Sequence, residues 1–195
     1  MPTTVPGIPD TDVTLRDGRV VHLRAMRPSD ESELLQAFER MGPDARYMRF
    51  MRAVREPNMP RLRRTLASLG QTMVGILATV PAADGFDIAG SAVFVIGNDP
   101  STCEFAISVA ADYGGAGLGR TLMTSLIDFA RGHALHEMEG FVLASNQPML
   151  RLAKGLGFSI ARDPEDGTVQ ICRLRLGDPQ PGSATGPATT RGIAP

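Results

Sequence analysis

Apolar and polar residues alternate at the start of this chain, recur at helical spacing through its second quarter, and then alternate again. Val13-Thr14-Leu15 and Val20-Val21-His22-Leu23 flank Arg16-Asp17-Gly18-Arg19, and Asp-Gly between two strand-like runs predicts a hairpin. Asp30-Glu31-Ser32-Glu33 reads as an N-cap with a carboxylate three positions on. Leu34, Leu35, Phe38 and Met41 follow at helical spacing, and Gly42-Pro43 stops the helix. A second short helix fits 44–51 and a third 60–69, where Leu62, Leu66 and Leu69 share a face. Strands are predicted over 72–80, 88–96 and 102–109, parted by turn compositions at 81–85 and 97–100. Leu122, Met123, Leu126, Ile127 and Ala130 mark a further helix, and Phe141-Val142-Leu143 a short strand. Asn146 caps a last helix whose apolar face is Met149, Leu152, Ala153 and Leu156 and whose end is Gly157; strands over 158–160 and 168–176 close the pattern. This order predicts a mixed α/β layer structure.

The Pro- and Thr-rich segment 1–12 and the Pro-, Gly-, Ser-, Thr- and Ala-rich segment 178–195 bury too little apolar surface to offset their ordering entropy, so disordered ends are expected around one domain at 13–177. A length of 195 residues suits one compact domain and leaves little room for a second. The formal charge of −1 gives no long-range pull toward nucleic acid or an anionic membrane. Small molecules or proteins are the expected partners, with the chain a monomer or homodimer. The N-terminus has neither a basic leader nor an apolar core, and the longest mainly apolar stretch, 73–83, is far short of the roughly 20 residues that cross a bilayer. A cytoplasmic protein without a membrane partner is expected. Cys103 and Cys172 sit in strand-like runs without Cys/His ligand spacing, which predicts buried free thiols and no metal.

The chemistry concentrates at Gly114-Gly115-Ala116-Gly117-Leu118-Gly119-Arg120, between a predicted strand and a predicted helix. Such a turn exposes unpaired N–H groups at the positive end of a helix dipole, where a phosphate binds. A dinucleotide fold needs Gly-x-Gly-x-x-Gly in a parallel βαβ unit, whereas this turn has Gly115-x-Gly117-x-Gly119 after a meander. A P-loop needs Lys where Arg120 stands, and a downstream strand ending in Asp for magnesium. Neither fits.

With its order of elements, this turn makes residues 20–176 resemble acetyltransferases of the GNAT superfamily. Leu23-Arg24-Ala25-Met26-Arg27-Pro28-Ser29-Asp30, Arg46-Tyr47-Met48-Arg49-Phe50 and Cys103-Glu104-Phe105-Ala106 are similar to bacterial protein lysine acetyltransferases in particular. The resemblance implies a single domain with a largely antiparallel sheet flanked by helices, and acetyl-CoA as co-substrate. It also implies that Gly114, Gly115, Ala116, Gly117, Leu118, Gly119 and Arg120 hold the pyrophosphate, although Gly114 stands where that family carries Gln or Arg. It places Asn146 on the pantetheine arm, and Ser108 and Val109 beside the pantetheine and acetyl carbonyl.

A lysine amine titrates near about 10.4, so transfer at neutral pH needs a general base. Strand alternation puts Glu104, Ala106 and Ser108 on one face and Cys103 and Phe105 on the other, giving Glu104 space for substrate. The resemblance assigns the base to the same glutamate. The family's leaving-group tyrosine is replaced by Ala153, so no general acid is assigned. Cys103, facing away and without an adjacent His, is a poor acyl carrier. Arg46, Arg49, Arg52, Arg55, Arg61, Arg63 and Arg64, with only Glu56 among them, read first as a solvated helical surface, with steering of an acidic protein or of CoA phosphates as the alternative and nucleic-acid contact the least favoured. The expected function is acetylation of protein lysines, with small amines as the alternative acceptor and a non-catalytic acyl-CoA sensor as the alternative class.

Overall fold

The computed structural model describes residues 8, 10–83, 85–133 and 135–177. The hairpin forms as its Asp-Gly turn predicts: β1 (Thr11–Thr14) and β2 (Val20–Ala25) run antiparallel around Gly18, whose φ of 85° suits a residue without Cβ. Order begins earlier than residue 13, because β1 starts at Thr11 and Ile8 is buried in the core. The tail expected at 178–195, and most of 1–12, lie outside the described residues.

Three helices follow, α1 (Glu31–Arg40), α2 (Pro43–Phe50) and α3 (Met59–Ala67). Asn58 caps α3 by accepting the Arg61 N–H at 2.9 Å. The capping box predicted at Asp30 does not form. Asp30 is 3% exposed, and its carboxylate turns back to accept from both Arg24 Nη atoms at 2.9 and 2.8 Å and from the Arg27 N–H at 2.8 Å. A guanidinium buried on β2 has no water to pair with, so the Asp30 carboxylate serves it instead of the first turn of α1.

Next come β3 (Met73–Ala82), β4 (Gly85–Ile96) and β5 (Thr102–Val109), an antiparallel meander. After the glycine turn, α4 (Leu118–Arg131) leads to β6 (Glu137–Leu143), α5 (Gln147–Gly155), β7 (Ser159–Arg162) and β8 (Val169–Arg175). The eight strands form one sheet, ordered β1-β2-β3-β4-β5-β6-β8-β7, with β5 and β6 its parallel neighbours. Alternation splits the core. Ile76, Ala78, Ala92, Phe94 and Phe105 face Leu122, Met123 and Leu126 of α4, while Met73, Leu77 and Ile88 face Leu66 of α3 and Leu34 of α1.

One irregularity positions the site. β5 and β6 pair only from Thr102↔Glu137 to Glu104↔Glu139, although β5 runs on to Val109 and β6 to Leu143. Beyond Glu104 they part into a wedge whose β5 side keeps unpaired N–H and C=O groups. Gly140 stands beside the apex because the Phe105 ring, edge-on to Phe158 at 5.2 Å between centroids, leaves no space: a Cβ at 140 would lie 2.4 Å from Phe105 Cε1. Gly140→Ala is expected to lower unfolding free energy by about 1–3 kcal/mol through overpacking. A thermal scan checks this, and an unchanged Tm would show that the ring yields freely.

Candidate active site

The mouth of the wedge gathers the end of β5, the glycine turn with the start of α4, and the start of α5. A first-turn glycine makes this approach feasible: a Cβ on Gly119 would meet Leu152 of α5 at 3.2 Å and Val109 and Ile107 of β5 at 3.8 and 3.9 Å. The turn itself follows a short 3₁₀ segment, Ala111–Tyr113. Gly114 closes that segment, its N–H donating to the Ala111 carbonyl at 3.0 Å. Free donors begin one residue later. Gly115 at φ 77° and Gly117 at φ 94° take left-handed conformations that L side chains rarely adopt. With that geometry the N–H groups of Gly115, Ala116, Gly117, Leu118, Gly119 and Arg120 have no acceptor among the described residues. They lie at the positive end of α4, a ready anion site.

The turn is anchored from behind. Ala116 and Leu118 are buried, leaving only their main chain to a ligand, and the Ala116 carbonyl accepts the Arg16 N–H at 3.0 Å. The Arg120 guanidinium donates to the Gly155 carbonyl at 3.2 Å and so ties α4 to α5. A recess of about 350 Å³ beside the turn is lined by Arg16, Gly117, Arg120 and Thr121. Asn146 caps α5, its Oδ1 accepting the Met149 N–H at 3.2 Å, which leaves its amide NH₂ free to donate.

Glu104 stands at the apex of the wedge, on the open face of β5 with Ala106 and Ser108. Its side chain is solvent-accessible, yet the surrounding strands and helices strip part of its hydration. This partial desolvation pushes its pKa above the usual carboxylate range, and the Glu139 carboxylate across the β5–β6 pair adds to the rise. Arg49 and Arg61 oppose it. Glu139 is itself held by Arg173 at 3.2 Å. A carboxylate raised in this way takes up its proton at a higher pH than an ordinary glutamate does. Glu139→Gln removes a repelling charge, so the Glu104 titration, followed by NMR of its carboxyl carbon, is expected to move to lower pH; a titration that stays put or rises would show that Glu139 does not act on it.

On the other face Cys103 is 2% exposed, and burial pushes its thiol up to about 12. A thiolate there is suppressed, in line with its expected exclusion as an acyl carrier. Cys172 is similarly buried, its thiol raised to about 11, and both cysteines are free. Ala153 is fully buried and packs in the core. His22 bridges Asp10 and Asp12 at 3.0 and 2.8 Å, and His133 contacts the Phe129 carbonyl at 2.8 Å, so both have local structural partners.

The arginine run is not uniform surface. Arg46 lies over the Phe38 ring and donates to the carbonyls of Phe38, Glu39 and Arg55 at 3.2, 3.1 and 2.9 Å, capping the C-terminus of α1. Arg63 pairs with Glu31 at 3.0 Å. Arg49, on the inner side of α2, donates from Nε to Ser108 Oγ at 3.1 Å and so enters the site. Sequence reasoning missed it, although it lies in the quoted block Arg46-Tyr47-Met48-Arg49-Phe50. No helix among the described residues is long and apolar enough to cross a membrane.

Comparison with known proteins places this geometry among relatives. Residues 70–158 match the model of the acetyltransferase (GNAT) family. The chain is 32% identical over 163 residues to Acetyltransferase PA5475 of Pseudomonas aeruginosa, an alignment spanning 84% of this chain and 88% of that protein. In fold it is similar to the GNAT domain of S. lividans PAT (TM-score 0.76, 22% identity, 85% of this chain and 96% of that one). It is also similar to yncA of Salmonella typhimurium, solved with acetyl-CoA (TM-score 0.63, 23% identity, 84% of this chain and 98% of that one).

Proposed function

The chain belongs to the GNAT acetyltransferase family, and from that premise we propose that it moves the acetyl group of acetyl-CoA to a lysine amine of a partner protein, with Glu104 as general base. One juxtaposition carries this reading: a cluster of unsatisfied main-chain donors at the mouth of a wedge whose apex holds a carboxylate of raised pKa. The N–H groups of Gly115, Gly117, Gly119 and Arg120 receive the diphosphate. The pantetheine arm enters the wedge as an added strand along the unpaired edge of β5, at Ser108 and Val109, with the Asn146 amide on its other side. The acetyl-CoA held by yncA supports this co-substrate.

Reaction then follows from proton bookkeeping. Glu104 removes a proton from the acceptor ammonium, directly or through one water, and the freed nitrogen lone pair attacks the thioester carbonyl carbon. As the C–N bond forms, the carbonyl oxygen takes up charge near the unpaired N–H groups of β5. Collapse breaks the C–S bond and the thiolate leaves with the electron pair; the nitrogen sheds its second proton to water, the thiolate takes one up, Glu104 returns its proton to solvent, and the neutral amide and free CoA remain. A raised carboxylate pKa narrows the gap to an amine near about 10.4 and makes the first transfer less uphill.

The test is incubation of the protein with acetyl-CoA and lysine-bearing peptides, followed by thiol release and mass spectrometry. Acceptor-dependent release of free CoA with matching acetyl-lysine is the expected result. Binding of acetyl-CoA without acceptor-dependent release across proteins, peptides and small amines would overturn the catalytic reading and leave a sensor.

A further inference from the structure

We propose that Arg49 binds a carboxylate, so that the preferred acceptor carries an acidic group close to the amine it presents to Glu104. This names the acceptor class of the site above and rests on the N-acetyltransferase reading.

Arg49 is half-buried on α2 and held by Ser108, on the same face of the same strand as Glu104. Within the same arginine run, Arg63 is matched with Glu31 and Arg46 with three carbonyls. Arg49 has no ion-pair partner among the described residues, and both of its Nη groups lack a protein acceptor there. Its guanidinium lies 5.3 Å from the Phe50 ring centroid, a contact that orients the fork without neutralising it.

A desolvated, unpaired cation is costly to maintain, and burial pushes the Arg49 pKa down while Glu104 pulls it back. An arriving carboxylate removes that cost, and a guanidinium fork matches it with two parallel hydrogen bonds. Along a strand, positions four apart are separated by roughly 13 Å. Arg49 meets Ser108 on the Glu104 face of β5 and stands near enough to Glu104 for each to shift the other's titration. An amine presented to Glu104 therefore leaves a negative group of the same acceptor within reach of Arg49. A guanidinium beside this path also repels a polyamine.

Two sources share this chemistry, the α-carboxylate of a free amino acid and an acidic side chain flanking a lysine in a protein. The experiment measures kcat/KM with acetyl-CoA for free L-amino acids against their carboxamides, and for lysine peptides flanked by Asp against the same peptides flanked by Asn. In one arm the carboxylate-bearing acceptor is expected to win by about tenfold to a hundredfold, mainly through KM, and that arm identifies the source. Arg49→Gln is expected to bring the ratio close to one and Arg49→Lys to restore part of it. Equal rates in both arms, or a preference that Arg49→Gln leaves intact, overturns the proposal. If Arg49→Gln does not fold, as judged by its melting curve, the wild-type ratios decide alone. Failure of the underlying reading is distinct: no acceptor of either kind releases CoA.

Discussion

Glu104→Gln is expected to cut kcat/KM at neutral pH by about 10²–10⁴-fold, the usual contribution of a positioned general base. Glutamine keeps the shape and still donates and accepts hydrogen bonds, but it cannot accept the ammonium proton, so the variant waits on the small neutral fraction of acceptor. That fraction grows tenfold with each pH unit below the amine pKa, and the deficit should narrow as pH rises toward about 10. Binding of acetyl-CoA, proposed for main-chain groups at 115–120, should persist in calorimetry. Steady-state kinetics across pH measure all of this. A variant as fast as wild type at pH 7 would remove Glu104 from the chemistry.

Asp30→Ala is expected to have the largest effect on stability. The carboxylate satisfies both Arg24 Nη atoms and the Arg27 N–H while only 3% exposed. Its removal leaves a buried guanidinium without a counterion, a loss of about 3–5 kcal/mol. For a domain of this size that corresponds to a fall in Tm of roughly 6–20 °C. Replacing the pair together, Arg24→Met with Asp30→Leu, should recover much of the loss, since two apolar side chains of similar volume carry no stranded charge. Calorimetric unfolding of both variants checks the expectation. A double variant as unstable as Asp30→Ala would point to shape rather than charge.

The parts legible in the sequence are those set by short-range physics. Asp17-Gly18 announced the hairpin because few residues accept a φ of 85°, Asn146 announced α5 because its cap bond spans three residues, and alternation alone put Glu104 opposite Cys103. The resemblance added the fold and the acetyltransferase family, which the family model and the Pseudomonas relative bear out. What stayed hidden depends on distant partners. Asp30 looks like any N-cap until β2 delivers Arg24. Arg49 looks like any solvated helical arginine until α2 docks on β5 and finds Ser108. The wedge arises where β5 and β6 cease to pair, a register between segments more than thirty residues apart that no local pattern encodes.

For the proposed chemistry, the turn at 115–120 has to deliver a thioester to the carboxylate at 104. A crystal structure of the protein with acetyl-CoA tests this most directly. The diphosphate oxygens should lie within about 2.7–3.2 Å of the N–H groups of Gly115, Gly117, Gly119 or Arg120, with the thioester in the wedge on the Glu104 face of β5. A diphosphate bound elsewhere, or a thioester separated from Glu104 by the sheet, would contradict it.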